Sequence, residues 1–341
     1  MNIALTSFSL PPFDAIGAGV QNHYLANELV KCGHNVTVFS PHPFAPGDAL
    51  YEHVEVRLFG KQRTLKWAIE LSKIDFSSFD YLHCTGDDHY VKTISKTCHL
   101  RQYHGNSLSE FSHARSPSAK IRNLFLYATE LVSSKRADIL TCVSFRAAKA
   151  LPKRTVIVPC GVDLSTFSPG GSKSVDPSIL FVGTLDSRKR GDLLVSSFVT
   201  TVKEKFPTAI LNIVRESKPV QHNGVYVHGF VDQSTLVDLY RSSWIFCLPS
   251  SYEGFGVPYI EAMSCGTAVV ATANDGSLDV LKNGKYGIIS SPANLGNDLV
   301  SLIADSCRLR SLETLGLDRS KDYTWSTVVS RYLSLVNVYH G

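Results

Sequence analysis

Glu253 and Glu261 frame a loop that carries two glycines, Gly254 and Gly256, inside the run WIFCLPSSYEGFGVPYIEAMSCGTAVVAT, residues 244–272. The apolar stretch 244–248 is short enough for a buried parallel strand. Pro249, Ser250 and Ser251 end it. Pro258 suits the first position of a helix, where its missing N–H costs nothing. Gly266 stops that helix, and 268–271 is the next strand. Ligands of an open α/β sheet bind where strand ends meet helix starts. Glu253 is expected in the loop beyond the strand and Glu261 in the first turn of the helix. The glycines allow close backbone approach, and free helix amides point at the same space. An anion flanked by hydroxyls fits there, with Glu253 accepting hydrogen bonds at one end and Glu261 at the other. The bland alternative is a solvated glutamate plus an ordinary helix-start glutamate favoured by the dipole.

A second chemical cluster lies upstream. Strand 179–182 is followed by Gly183-Thr184 and then Asp186-Ser187-Arg188-Lys189-Arg190, ahead of a helix from about residue 192. Three cations at a helix N-terminus oppose its dipole. A bound anion resolves the conflict; a solvated cluster is the alternative.

Near the N-terminus, residues 2–8 read as a strand, Gly17-Ala-Gly19 opens a helix to about residue 31, and 35–39 is strand two. GAGVQN nearly matches the dinucleotide fingerprint, which is rejected here. The third glycine is Asn22, the glycines lie several residues past the strand, and no acidic residue closes strand two. His104 follows strand 100–103 and precedes Gly105, at a strand end where an imidazole can meet a sugar hydroxyl or an acceptor. A loop histidine with a structural role is the alternative. Gly86-Asp87-Asp88-His89 is expected as a polar loop rather than a metal site, and the chain contains no D-x-D.

The elements that must position these residues follow in order: strands 54–59, 79–83, 137–143 and 155–159, a helix over 120–135, and a helix from Ser144 onward. In the second half come strands 209–214 and 225–230, a helix over 236–241, a final strand or turn at 284–289, and an apolar-striped helix over 323–339. The 341 residues fit two domains, separated by Pro169-Gly170-Gly171-Ser172-Lys173-Ser174, the clearest linker. The expected boundaries are 1–168, linker 169–177, 178–322, and a terminal helix 323–341 that crosses back to the first domain. No apolar run reaches the roughly 20 residues needed to span a bilayer. The first residues, MNIALTSFSL, read as a strand rather than a signal peptide. Eight scattered cysteines without CxxC indicate neither zinc nor a disulfide framework, and a cytoplasmic setting follows. Residues 99–154 carry ten basic and three acidic side chains, including Arg115, Lys120, Arg122, Lys135, Arg136, Lys149, Lys153 and Arg154. A solvated surface and attraction to an anionic acceptor or membrane face both fit. Nucleic acid is disfavoured, since no binding motif accompanies the charge.

The segment E-G-F-G-x-P-x-x-E-A-M-x-x-G-x-x-V-V-A, with Glu253-x7-Glu261 inside it, resembles the signature of retaining GT-B glycosyltransferases of the family 4-like group (glycosyl transferases group 1). The resemblance extends over nearly the whole chain. The D-x-x-H element at Asp80 to His83, the crossover Cys160-Gly161-Val162-Asp163 with Cys160 in place of the usual Asn, the G-(R/T)-L-x-x-x-K element from Gly183 to Lys189, and His228-Gly229-Phe230-Val231 all match. Asp279 stands where the family has Glu. The resemblance implies an α/β GT-B fold of two Rossmann-like parallel-sheet domains facing a cleft, with acceptor in the first and sugar nucleotide in the second. It implies that Glu253 contacts the transferred sugar and Glu261 the ribose, and that Lys189 and Arg188 bind the diphosphate together with Gly183 and Thr184. Gly254, Phe255 and Gly256 supply amides, Phe230 and Val231 meet the nucleobase, Gly17 and Gly19 approach donor phosphates and acceptor, and His104 faces the reacting sugar.

The implied activity is transfer of a hexose from a UDP- or GDP-sugar to a glycan, lipid-linked or small-molecule hydroxyl acceptor, with retention and without a metal or other cofactor. The cytoplasmic setting then includes peripheral contact at the inner membrane face through the basic N-terminal domain. Two rivals share the architecture: a sugar-nucleotide 2-epimerase, which needs no acceptor, and a non-catalytic sugar-nucleotide-binding protein.

Overall fold

Short apolar runs bounded by turn residues build two parallel sheets. The computed structural model describes residues 1–13, 17–59, 63–93, 96–113, 116–152 and 154–341. Arg115, Lys153 and the end of the 9–16 loop lie outside the described residues. Two compact units form, Met1–Gly161 with Trp325–Gly341, and Val162–Thr324.

The first unit contains β1 (Asn2–Thr6), β2 (Asn35–Ser40), β3 (Glu52–Glu55), β4 (Tyr81–Cys84), β5 (Cys98–Tyr103), β6 (Ile139–Cys142) and β7 (Val156–Ile157). All are parallel, in the order β3-β2-β1-β4-β5-β6-β7. Ile3, Ala4 and Leu5 of β1 are fully buried, as a strand covered on both faces requires. Its helices are α1 (Gly17–Lys31), α2 (Arg63–Leu71), α3 (Ser107–His113) and α4 (Pro117–Arg136). The Ser116 hydroxyl caps α4 by accepting from the Ala119 amide at 3.2 Å, with Pro117 in the first turn.

The terminal helix Trp325–His340 belongs to this unit. Its stripe of Val328, Tyr332 and Val336 joins Leu25 and Leu29 of α1 and Ile3 and Leu5 of β1 in one core. At its start the Trp325 ring lies on Gly161, where any Cβ would overlap the indole. Gln21 of α1 holds both faces of that glycine. Its amide nitrogen donates to the Gly161 carbonyl at 3.1 Å, and its oxygen accepts from the Gly161 N–H at 2.9 Å.

The second unit has β8 (Ser178–Val182), β9 (Ile210–Val214), β10 (Val225–Gly229), β11 (Ile245–Leu248), β12 (Ala268–Thr272) and β13 (Ile288–Ser290), again all parallel, in the order β10-β9-β8-β11-β12-β13. Its helices are α5 (Gly191–Ser197), which runs through a wide turn into the short α6 (Lys203–Lys205), then α7 (Gln233–Ser242), α8 (Val257–Ser264), α9 (Asp275–Val280), α10 (Leu295–Ala304) and α11 (Ser306–Ser320). Residues 169–177 lie within this unit, and the Lys173 ammonium is tied to the Ser243 carbonyl at 2.6 Å and the Gly266 carbonyl at 2.9 Å. Each unit is a Rossmann-like α/β layer, the expected fold class.

Some elements differ from expectation. The strand expected over 54–59 is Glu52–Glu55, because β2 ends at Ser40, the register partner of Glu55. The helix expected from Ser144 is one 3₁₀ turn, Ala147–Ala150; Pro152 follows and disfavours helical backbone at Leu151. The 284–289 segment is a turn and then a strand, as expected, with positive φ at Asn283 and Gly284 ahead of β13.

Gly161→Ala forces a methyl group into the Trp325 ring, and overpacking of this kind costs about 1–3 kcal/mol. A lower chemical-denaturation midpoint is expected, with Gly47→Ala, at an exposed glycine with open space around it, as control. An unchanged midpoint would contradict the described packing of Trp325 on the crossover.

Candidate functional site

In the second unit the strand order reverses between β8 and β11, and the carboxyl ends flanking such a reversal form a ligand crevice. The loop after β8 carries Gly183, Thr184, Arg188, Lys189 and Arg190, and the loop after β11 carries Ser250 to Gly256. The two loops are tied together. The Ser251 N–H donates to the Arg188 carbonyl at 2.8 Å. The Arg188 guanidinium donates to the Tyr252 carbonyl and pairs with Glu253 Oε1 at 2.7 Å. Glu253 is buried, and the same oxygen accepts from the Ser250 hydroxyl at 2.8 Å. Its backbone carbonyl accepts from the Gly276 N–H at 2.8 Å, so α9 also fixes this loop.

The three expected cations divide their work. Arg190, in a left-handed conformation with φ of 52°, donates to the Pro249 carbonyl at 2.6 Å and to Thr272 Oγ1 at 2.8 Å, bracing the ends of β11 and β12. Lys189 lies across Gly183, where a Cβ would strike its side chain, and donates to the Val182 carbonyl at 2.9 Å. Burial lowers the Lys189 pKa, while Glu253 and Glu261 oppose that fall and Arg188 and Arg215 add to it. Burial raises the Glu261 pKa, opposed by the Tyr240 hydrogen bond and by Arg215 and Lys189. Five charged groups therefore act on one another here: three cations and two carboxylates.

Glu261 is the fifth residue of α8, not in its first turn as expected, because the helix begins at Val257. Its Oε2 accepts from the Tyr240 hydroxyl of α7 at 3.0 Å. Gly256 precedes α8 with φ of 90°, and a Cβ there would run into Tyr259. Phe255 is buried with its ring 5.5 Å from Tyr323, while Gly254 is half-buried and Thr184 exposed. Phe230 is 76% exposed and Val231 is half-buried.

Arg215 and Glu216 were not singled out from the sequence, although a charged pair directly after a buried strand is a usable signal. Arg215 has φ of 69° at the end of β9, and its N–H donates to the Gly229 carbonyl at 2.6 Å. Glu216 accepts from the Leu185 amide at 2.7 Å and from the Ser217 and Lys218 amides at 2.8 and 2.9 Å. Those backbone bonds lower its pKa and hold the loop after β8 in place. Tyr240 was also missed, since a partner supplied by a distant helix leaves no local pattern; Ser250, three residues before Glu253, was read only as the end of a strand.

The first unit holds the remaining candidates. Its strand order reverses between β1 and β4. Asn22 of α1 bridges the loops after both strands, donating at 2.8 Å to Ser7 Oγ and at 2.8 Å to Thr85 Oγ1; this explains an asparagine at the third-glycine position. Gly19 packs against the Ser9 backbone with no room for a Cβ, whereas Gly17 has open space. His104 follows β5, and its Nε2 is buried without a hydrogen-bond partner among the described residues. Burial, then His83 and Arg101, push its pKa down to about 4, so the imidazole is neutral at pH 7. The expected polar loop at 86–89 is instead an anchor. Asp88 is fully buried, 2.5 Å from Arg101 Nη1 and 2.9 Å from His99 Nε2. Burial pushes its pKa up, but Arg101 and His99 outweigh that and hold it well below the carboxylate range. Cys84, Asp88 and His99 bring ligand-type atoms within 4.8 Å of one another, but both Asp88 oxygens are engaged by Arg101 and His99.

Residues 16–166 match the family model described as Glycosyltransferase Family 4, and residues 176–305 match Glycosyl transferases group 1. A probable sucrose-phosphate synthase of Thermosipho melanesiensis is 30% identical over 201 residues, which cover 53% of this chain and 46% of that protein. The chain spans about half the length of such curated relatives, 46% of that synthase and 56% of a phosphatidyl-myo-inositol mannosyltransferase of Mycobacterium tuberculosis, to which it is 27% identical over 213 residues, 57% of this chain. Among solved structures, sucrose-phosphate synthase from Thermosynechococcus elongatus superposes with a TM-score of 0.81 at 20% identity, covering 98% of both chains. Anabaena HepE, solved in complex with UDP and glucose, gives 0.75 at 14% identity, covering 99% of both. With one glycosyltransferase model on each half and a matching fold along its whole length, the chain belongs to the family 4-like glycosyltransferases of GT-B fold.

Proposed function

We propose that the chain transfers a hexosyl group from a UDP- or GDP-linked sugar to a hydroxyl acceptor, with retention of anomeric configuration and without a metal ion. The observation that carries this reading is the charge cluster at the β8/β11 reversal. Arg188, Lys189 and Arg215 share two carboxylates, Glu253 and Glu261, in a partly buried crevice. Like charges crowded at partial burial repel one another until an anion enters, and a diphosphate is such an anion. The HepE complex with UDP and glucose is consistent with a nucleotide-sugar ligand for this fold.

In this reading Lys189 and Arg188 stabilise charge on the departing diphosphate, as preorganised cations do. Amides near Phe255 and Gly256 assist, with Gly183 and Thr184 lining the phosphate path. Glu253, held by Arg188 and Ser250, accepts from hydroxyls of the transferred sugar. Glu261, held by Tyr240, accepts from the ribose, and Phe230 and Val231 flank the base. The bond from the anomeric carbon to the phosphate oxygen breaks, and its electron pair stays with the diphosphate. The acceptor oxygen bonds to the carbon on the same face, and its proton passes to a phosphate oxygen. Gly17, Gly19 and His104 of the first unit serve the acceptor, His104 as a neutral hydrogen-bonding group. Glycans, lipid-linked saccharides and small hydroxylated molecules are the acceptor classes.

Glu253→Ala is expected to lower kcat by roughly 10²–10³, the scale of losing one stabilising group, while nucleoside diphosphate affinity stays within a few-fold. Lys189→Ala weakens nucleoside diphosphate binding itself. Wild-type turnover by Glu253→Ala, measured as release of nucleoside diphosphate, would refute the assignment.

A His104 pKa near 4 places its protonation below the assay range. Because the folded value lies below the ordinary one of about 6.5, protonation costs stability as pH falls through that window, rather than adding it. Wild type and His104→Gln should therefore show kcat/KM profiles of the same shape above about pH 5.5. A wild-type limb near pH 6.5 that the variant lacks would contradict a neutral His104.

A further inference from the structure

Helix α4 is built inside out. The residues it buries are polar: Asn123, Ser133 and Ser134. Glu130, also on the inward side, accepts from the Ser107 hydroxyl at 2.7 Å, and Ser134 Oγ lies 2.7 Å from the Tyr103 hydroxyl. The residues it leaves in water are apolar. Ile121 is 72% exposed, Leu124 and Phe125 are each 56% exposed, and Leu131 and Val132 are each 41% exposed. Positions 121, 124, 125, 128, 131 and 132 share one side of a 3.6-residue helix, so these side chains form a continuous stripe. An ordinary surface helix shows the opposite arrangement, and contiguous apolar exposure of this kind marks an interaction surface.

Charge identifies the occupant. Lys120, Arg122, Lys135 and Arg136 are exposed at the two ends of the stripe. The sole acidic residue of the helix is Glu130, which points inward to Ser107. An apolar face bordered by cations, with no carboxylate on the outer side, complements an anionic lipid surface: the chains accept the apolar stripe and the headgroups pair with Lys and Arg. A second copy of this chain docking through the same face would meet four like charges around its contact. No described helix is long and apolar enough to cross a membrane, so contact through α4 is peripheral.

We propose that α4 lies in the interface of an anionic phospholipid membrane, with Ile121, Leu124, Phe125 and Val132 inserted and Lys120, Arg122, Lys135 and Arg136 on the headgroups. The test uses the full chain in flotation with vesicles of phosphatidylcholine alone or with phosphatidylglycerol added, which gives the surface a negative potential. Binding is expected to the anionic vesicles only, to weaken with salt, and to fall roughly tenfold or more in Ile121→Ser/Phe125→Ser. Lys120→Glu/Lys135→Glu should lose the anionic preference. These side chains are exposed, so the variants should keep the wild-type circular dichroism and melting temperature. Absence of flotation with anionic vesicles, or flotation equal in wild type and Ile121→Ser/Phe125→Ser, would overturn the proposal. So would sedimentation showing a wild-type dimer that those substitutions dissociate in the absence of lipid, since the stripe would then be a protein interface.

Discussion

The Arg188–Glu253 ion pair is the contact on which the rest of the second unit's site depends. It joins the loop after β8 to the loop after β11, the two strands between which the sheet order reverses. A half-exposed ion pair alone contributes little to stability. Its weight here comes from what converges on it. Glu253 is buried and also held by Ser250, Arg188 also binds the Tyr252 carbonyl, and Gly276 fixes the Glu253 backbone. The carboxylate is thus positioned before any ligand arrives, which is the condition for electrostatic stabilisation without reorganisation. Lys189 and Arg215 beside it leave the cluster with more positive than negative charge, and that imbalance is what an anionic substrate relieves.

The first unit uses polar burial differently. Asp88, in the loop after β4, joins Arg101 and His99, and Asn22 pins that loop to the one after β1. Both Asp88 oxygens are engaged, while Arg101 Nε is buried without a partner among the described residues. His104 Nε2, just past a central strand, is likewise buried without one among the described residues, and its imidazole is neutral. The outward apolar stripe of α4 departs from ordinary folding logic in the same way, placing an energetic cost on the surface where a partner can remove it.

Fold class was legible because central parallel strands such as 179–182 and 268–271 are nearly all apolar and are bounded by glycine, proline and serine. The GFG loop and the Glu253/Glu261 spacing were legible because both glutamates sit on one strand–loop–helix segment. Failures have physical causes. Strand ends such as Glu55 depend on where the neighbouring strand stops. Asp88 reads as a loop residue because its partners, His99 and Arg101, come from the next strand. Arg190 looks like its two neighbours, yet it braces backbone, since its left-handed conformation turns it toward Pro249 and Thr272. Arg215 and Tyr240 reach the site from β9 and α7, and one-dimensional spacing carries no trace of that convergence.

The central claim is that the charge cluster of the second unit is a nucleoside diphosphate site that supplies its own cations. Thermal unfolding with UDP, GDP and ADP, each with EDTA and with magnesium, tests it directly. A ligand that binds the native state at 100 times its Kd stabilises by about 2.7 kcal/mol. The account predicts a rise in melting temperature with one diphosphate, unchanged by EDTA and smaller in Lys189→Ala. No rise with any of them, or a rise that appears only with magnesium, would contradict it.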